Sequence, residues 1–295
     1  MCTTIAVLGL GAMGLPMASR LAEKFTVKGY DTAPERTALA SKSGVTPAGS
    51  AREAATGAEI VLLAVRDGQQ LEEALYGAAG VVEVLESGAL ILLTSTVGID
   101  AVRDVAEKLS GQGLHLVDAP ISGGPVRAGT GDLLIVVGAT DEAFEAAHPV
   151  LEQLSSTLER MGPRPGDGQA MKTVNQLLCG VHIAAGAEAM ALAGALGLDQ
   201  EVALRTLGAG AAASFMLSDR GPRMLQAYDS KGAEVRSRLD IFVKDMGIVG
   251  DAARAVGLAT PVALAAEQLF MIGQAYGMGS SDDSSVIRVV APKES

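Results

Sequence analysis

A lysine set in an otherwise apolar helix is the first residue in this chain that could do chemistry. Gln169 to Leu196 reads as one long Ala-rich helix, and Lys172, Asn175 and Gln176 stand in it at i, i+3 and i+4, hence on one face. A cation near a helix N-terminus meets the positive end of the macrodipole, and burial penalises its charged form further. Both effects favour the neutral amine, which suits a lysine that takes a proton from an alcohol and returns it to a carbonyl. The alternative is a lysine that snorkels from the helix end into solvent.

The second candidate is Gly9-Leu10-Gly11-Ala12-Met13-Gly14, directly after the apolar run Ile5–Leu8 and opening a helical segment. In that setting the glycines have separate tasks: a tight turn, close backbone approach to a pyrophosphate, and close helix–strand packing. No Lys-Ser or Lys-Thr follows them, which excludes a P-loop. Asp31 falls near the end of the second apolar run. A carboxylate there accepts hydrogen bonds from the adenosine ribose and repels a 2′-phosphate, so NAD is expected over NADP. Arg36, close by, is the group that could instead pair with such a phosphate.

Asp118-Ala-Pro-Ile-Ser122-Gly123-Gly124 reads as a strand end and a turn whose hydroxyl and amides can converge on a carboxylate. With Ala128 and Gly131 following, it resembles the substrate signature of the β-hydroxyacid dehydrogenases, the family of 3-hydroxyisobutyrate dehydrogenase. Gly168-Gln-Ala-Met-Lys172-Thr-Val-Asn175-Gln176 is similar to that family's catalytic motif, and Lys244-Asp245 to its second lysine site. With the Gly9 motif, the resemblance spans nearly the whole chain in the family's order. It implies a hydride moving between a carbinol carbon and the nicotinamide, with Lys172 as acid/base and Asn175 orienting it or the reacting oxygen. Ser122, Gly123, Gly124 and Gln176 are then placed on the substrate, a small carboxylate. Val65, Thr96 and Lys244 join Gly9 to Gly14 and Asp31 on the cofactor. The other reading of Thr94-Ser95-Thr96 is a helix N-cap region.

Within the family, the segments Asn175 to Ala185, Phe242 to Ile248 and Asp282 to Ile287 look most like the L-threonate dehydrogenase branch. Gln176, in place of the family's usual second asparagine, is shared by that branch. Gly208 to Ala213 departs from it, being nearly all Gly and Ala where a polar residue and an aromatic are usual; Phe215 stands close behind. Threonate is the leading substrate, with 3-hydroxyisobutyrate and tartronate semialdehyde next. An NADH-sensing protein without turnover and an imine-reducing relative stay open. Lys172 discriminates, since the imine reductases of this resemblance generally replace it.

These groups need a scaffold. Apolar runs at Ile5–Leu8, Thr26–Tyr30, Ile60–Val65, Ala89–Leu93, Leu114–Val117 and Leu133–Val137 alternate with helix-like segments at βαβ spacing, and most are apolar throughout, as strands covered on both faces are. The expected fold is α/β, a Rossmann-type doubly wound sheet over residues 1–162, followed by an all-α domain over 163–295. Met161 to Gly168, with two prolines and three glycines, marks the boundary. Thr260-Pro261 predicts an N-cap and a first-turn proline, and Gly277 ends that helix. The polar tail from Ser280 is expected to lie loosely on the surface.

Composition narrows the partners. A formal net charge of −11 over 295 residues repels phosphate backbones and anionic lipid, so neither nucleic acid nor a membrane surface is expected. Charges at Arg20, Asp67, Lys172 and Glu188 interrupt the most apolar stretches, so no bilayer span is expected. The start lacks the basic leader of a signal peptide, and a cytoplasmic location follows. Cys2 and Cys179 have no metal-type spacing, and His115, His148 and His182 are scattered, so no metal is expected. Ala- and Gly-rich helices in the second domain point to a homodimer or homotetramer.

Overall fold

The computed structural model describes residues 3–292; Cys2 lies outside them. The chain divides into two compact units, Met1–Lys172 and Thr173–Ser295.

The first unit is built on nine strands among the described residues: β1 Thr4–Leu8, β2 Thr26–Tyr30, β3 Thr46–Pro47, β4 Ile60–Leu63, β5 Leu90–Leu93, β6 His115–Asp118, β7 Ile121–Ser122, β8 Leu133–Gly138 and β9 Ser155–Gly162. They order β3-β2-β1-β4-β5-β6-β8-β7, with β9 also paired to β8. Strands β1 to β6 run parallel, in the register Leu8↔Tyr30, Leu8↔Leu63 and Leu63↔Leu93, which brings their carboxyl ends to one edge. β8 runs antiparallel to β6 and β7. The order reverses at β1, so the crevice beyond β1 and β4 is where a doubly wound sheet binds ligands.

The helices of this unit are α1 Gly14–Leu21, α2 Pro34–Ala40, α3 Ala51–Ala55, α4 Gly68–Tyr76, α5 Ile99–Ser110, α6 Gly124–Thr130 and α7 Asp141–Leu154. Alternate strand residues feed two cores. Ile5, Val7, Leu62 and Leu92 pack with Met17 and Leu21 of α1 and Leu151 of α7. Ala6, Leu8, Val61, Leu63 and Leu93 pack with Leu71 of α4 and Val102 and Leu109 of α5. Burial on both faces is why these strands read as continuous apolar runs.

The second unit is helical. α8, Asp167–Ala195, begins in the first unit and continues into the second, followed by α9 Gln200–Ala209, α10 Phe215–Gln226, α11 Leu239–Ala255, α12 Pro261–Ala275 and α13 Ile287–Val290. Its core centres on Ile183, Met190, Phe242 and Phe270, the two rings stacking at 5.3 Å between centroids.

Three expectations need correction. The tail is not loose: Asp282, Asp283 and Ser284 are fully buried. Arg223 Nε donates to Asp282 Oδ1 at 3.0 Å, and Arg220 holds both oxygens of Asp283. The partners lie about sixty residues upstream, out of reach of a local reading of polarity. Secondly, Thr260 occupies the N-cap position of α12 but its side chain makes no capping bond, while Pro261 does open the helix. Thirdly, the charges at Lys172 and Glu188 do not keep α8 below the length and apolarity of a bilayer span, a test that a buried core helix also passes; 44% of its apolar window is buried within the protein.

Candidate active site

The glycine loop joins β1 to α1 at the carboxyl edge of the sheet, and its geometry separates the three glycines. Gly9 has φ +95°, and a Cβ there would stand 2.3 Å from the Ala64 carbonyl oxygen. A Cβ on Gly14 would stand 1.8 Å from the Gly9 carbonyl oxygen. These two are demanded by the protein itself. Gly11 is different, since a Cβ would meet only Arg36 Nη1, at 3.5 Å. The space over Gly11 is thus open on the protein side, as a cradle for a pyrophosphate requires, and α1 opens without a side-chain cap on its first-turn N–H groups. Leu10 is buried, Met13 half-buried and Ala12 exposed.

Asp31 follows β2 and is nearly buried. Its Oδ2 accepts from Leu10 N at 2.7 Å and its Oδ1 from Ala33 N at 2.8 Å, so the carboxylate braces the glycine loop. Each oxygen has a second lone pair, which leaves room to accept from a ribose. Arg36 Nη1 lies 3.6 Å from Oδ2, with its side chain half exposed.

The ends of β4 and β5 are cross-tied. Thr94 Oγ1 donates to Leu63 O at 3.0 Å, and Ser95 Oγ accepts from Val65 N at 2.8 Å. Thr96, between them and the next helix, is partly buried. The N-cap of α5 is Gly98, so Thr94 to Thr96 are not a capping segment.

Beyond β6, Ser122 pairs through β7 with Leu134 of β8. Gly123 and Gly124 follow at φ +143° and +78°, in left-handed conformations that favour glycine. No heavy atom lies within 4 Å of a Cβ built on Gly124. The position a side chain would take at Gly124 is therefore open space.

Lys172 is 8% exposed. That burial rejects the snorkelling alternative. Two residues that stand inside the sequence motifs without a role of their own there, Asp118 and Gln169, appear at its helix start. Asp118, wholly buried at the end of β6, accepts from Gly166 N and Gln169 N with Oδ2, both at 2.9 Å. It thereby caps α8 from another element. Burial pushes its pKa up to about 6, against the pull of those hydrogen bonds. Gln169, also wholly buried, donates to Asp118 Oδ1 at 2.8 Å.

In the second unit, Asn175 Nδ2 donates to Gln176 Oε1 at 2.9 Å, and Gln176 Nε2 donates to Asp245. Asp245 Oδ1 in turn pairs with Lys244 Nζ at 2.8 Å. The close approach of α8 and α11 permits this: a Cβ on Gly180 would fall 2.2 Å from Met246 Sδ. Asn175, Gln176 and Asp245 thus form one hydrogen-bonded line that ends in the ion pair with Lys244, and Asp245 had no separate signal beyond its place beside Lys244. Phe215 is exposed at the start of α10.

Residues 4–162 match the family described as the NAD binding domain of 6-phosphogluconate dehydrogenase. Residues 166–290 match the NAD-binding family of NADP-dependent 3-hydroxyisobutyrate dehydrogenase. The chain belongs to the β-hydroxyacid dehydrogenase family. An L-threonate dehydrogenase from Cupriavidus necator is 37% identical over 98% of this chain and 96% of its own. The L-threonate dehydrogenase of Escherichia coli K12 is 36% identical over 97% and 94%. The crystal structure of a 3-hydroxyisobutyrate dehydrogenase from Salmonella typhimurium is 34% identical, covers 97% of this chain and 99% of its own, and superposes with a TM-score of 0.90. This β-hydroxyacid dehydrogenase is accordingly an NAD-linked enzyme acting on a hydroxy acid. Relatives bearing two substrate names at nearly the same identity show the family rather than one substrate.

Proposed function

We propose that this enzyme oxidises a small β-hydroxy acid reversibly with NAD, that L-threonate is its substrate, and that Lys172 is the acid/base. The observation that carries the reading is a buried lysine at 172, on the helical face it shares with Asn175 and Gln176. The relatives named L-threonate dehydrogenase support the substrate.

Bound NAD supplies the acceptor for the hydride that leaves the carbinol carbon. The protein's own part is position and proton transfer. Ser122 and the amides of Gly123 and Gly124 would grip the substrate carboxylate. As the C–H bond breaks, Lys172 takes the hydroxyl proton and the alcohol becomes a carbonyl; in reduction the same proton returns. Asn175 would orient the reacting oxygen, its amide steadied by Gln176 and, through it, by Asp245. Gly9 to Gly14, Val65, Thr96 and Lys244 would hold the dinucleotide. Asp31 supports NAD over NADP, because its carboxylate is pinned in place by two backbone N–H groups and would repel a 2′-phosphate. Exposed apolar side chains on the helical unit, among them Leu192, Leu196, Val262 and Met271, support self-association.

The test is NAD and NADP reduction over a panel of C3 to C5 hydroxy acids, with wild type and Lys172→Ala. L-threonate should give the highest kcat/KM, with NAD ahead of NADP. The variant should bind NADH as wild type does and lose turnover. Activity on no member would favour an NADH sensor, and a variant retaining more than a few per cent of kcat removes the role of Lys172.

A further inference from the structure

We propose that Gln169 is a positioning residue for proton transfer, a buried clasp that with Asp118 sets the first turn of α8, and hence Lys172, against the ends of β5 and β6. This rests on the reading of Lys172 given above.

Gln169 uses all of its amide's hydrogen-bonding capacity. Its Oε1 accepts from Val97 N at 3.0 Å and Gly98 N at 3.2 Å, and its Nε2 donates to Ser95 O at 3.0 Å and Asp118 Oδ1 at 2.8 Å. Two acceptor and two donor positions are filled, so only one orientation of the amide fits. Ser95 also receives Val65 N on its hydroxyl. One side chain therefore joins the segment carrying Val65 and Thr96, the strand end leading to Ser122, and the helix carrying Lys172.

The packing leaves this turn no slack. A Cβ on Gly168 would lie 2.7 Å from Asp118 O and 2.9 Å from Val136 O, and one on Gly138 would lie 2.8 Å from Gly168 N. Lys172 follows Gln169 by three residues, one helical turn, so a tilt at the clasp is carried directly to the amine. Purely structural anchoring needs only that the buried groups be satisfied. A positioning role needs in addition that the amine be displaced when they are satisfied differently.

Gln169→Glu separates the two. It keeps size and shape but sets a second carboxyl against Asp118 Oδ1, and two carboxyls in such contact are accommodated by sharing one proton. The other charged groups around this turn are Asp167, whose Oδ2 accepts from Arg164 N, Arg103 against Gly166, and Lys172 itself. In a folded variant, kcat for the hydroxy acid should fall about 100-fold at roughly pH 8, the scale of a misplacement near 1 Å, while KM and NADH affinity stay within about threefold. Activity should recover as the pH drops toward about 6 and the shared proton is restored. A deuterated carbinol substrate should show a larger isotope effect than with wild type. Adding Asp118→Asn removes the second carboxylate and should restore at least about tenfold of the lost kcat near pH 8.

A Gln169→Glu enzyme with wild-type kcat and isotope effect at that pH, or a loss that Asp118→Asn fails to repair, overturns the proposal. The 13Cε signal of Lys172 in the NADH complex, assigned with Lys172→Ala, gives a readout independent of turnover. It should shift in the single variant and return in the double. If wild type oxidises no hydroxy acid, the functional reading fails on its own. The clasp is then decided by that signal, and an unmoved signal overturns it.

Discussion

Adding one methyl group at Gly14 tests the geometry of the cofactor loop. The new Cβ would stand 1.8 Å from the Gly9 carbonyl oxygen and 3.2 Å from Ala64 Cβ. Real Cβ contacts essentially never fall below 3.0 Å, so α1 and the loop must part by about 1.2 Å. Gly9 cannot yield: its N–H donates to Tyr30 O at 2.9 Å, and the Ala64 carbonyl closes its other side. The helix must therefore move outward, dragging Met17, Ala18 and Leu21, all fully buried, from their core. Overpacking of this kind destabilises by about 1–3 kcal/mol, or roughly 2–12 °C in Tm for a protein of this size. A hydrogen bond of about 2.9 Å stretched by that movement is no longer one. Each N–H lost to a charged phosphate weakens binding by about 1.5–3 kcal/mol, roughly 10–150-fold. Gly11→Ala is the control, because its Cβ meets only the end of Arg36. It should keep the wild-type Tm and still lose NADH, the methyl group occupying the space kept for the pyrophosphate. The assays are NADH fluorescence titration and thermal melts without ligand. Gly14→Ala with NADH affinity within about twofold of wild type and an unchanged Tm would refute this account of the loop.

The buried carboxylate of Asp118 should leave a mark on stability against pH. Its folded-state pKa of about 6 lies above its ordinary value, so the folded chain holds the proton more tightly than the unfolded one. The stabilisation from that proton is present below about pH 4 and gone above about 6, a change of about 3 kcal/mol. Urea denaturation of wild type and Asp118→Asn across that window should show their difference in stability changing with pH, and a constant difference would contradict it. Arg223→Met should destabilise by about 3–5 kcal/mol, because it strands the Asp282 carboxylate in the interior; a loss below about 1 kcal/mol in the same assay would mean that Ser284 and the Arg236 N–H suffice.

The strands legible in the sequence are those buried on both faces, such as Ile60–Leu63 and Leu90–Leu93. β9, Ser155–Gly162, was not, because it pairs with β8 alone and its exposed residues include Ser156, Thr157, Glu159 and Met161, which mimic a loop in composition. β3 and β7, of two residues each, carry no periodicity at all. The glycine loop and the face shared by Lys172, Asn175 and Gln176 could be read because each is local, within one turn or one helix. Gln169 could not. Its partners Ser95, Val97 and Asp118 arrive from strand ends more than fifty residues away, and in sequence it is one more polar residue near a helix start. Asp245 was hidden likewise, its link to Gln176 spanning sixty-nine positions.

The arginine and aspartate pairs that close the helical unit also bear on how the protein is made. Arg220 and Arg223 leave the ribosome well before Asp283 and Asp282, their partners 63 and 59 residues later. Until that stretch emerges, two guanidinium groups destined for the interior share Asp219 as their one neighbouring carboxylate among the described residues, and sealing both in against a single counter-ion is unfavourable. The nascent helices are therefore expected to wait, loosely packed and open to chaperones, and to lock only when the aspartates arrive, whereas the sheet of the first unit can already have closed.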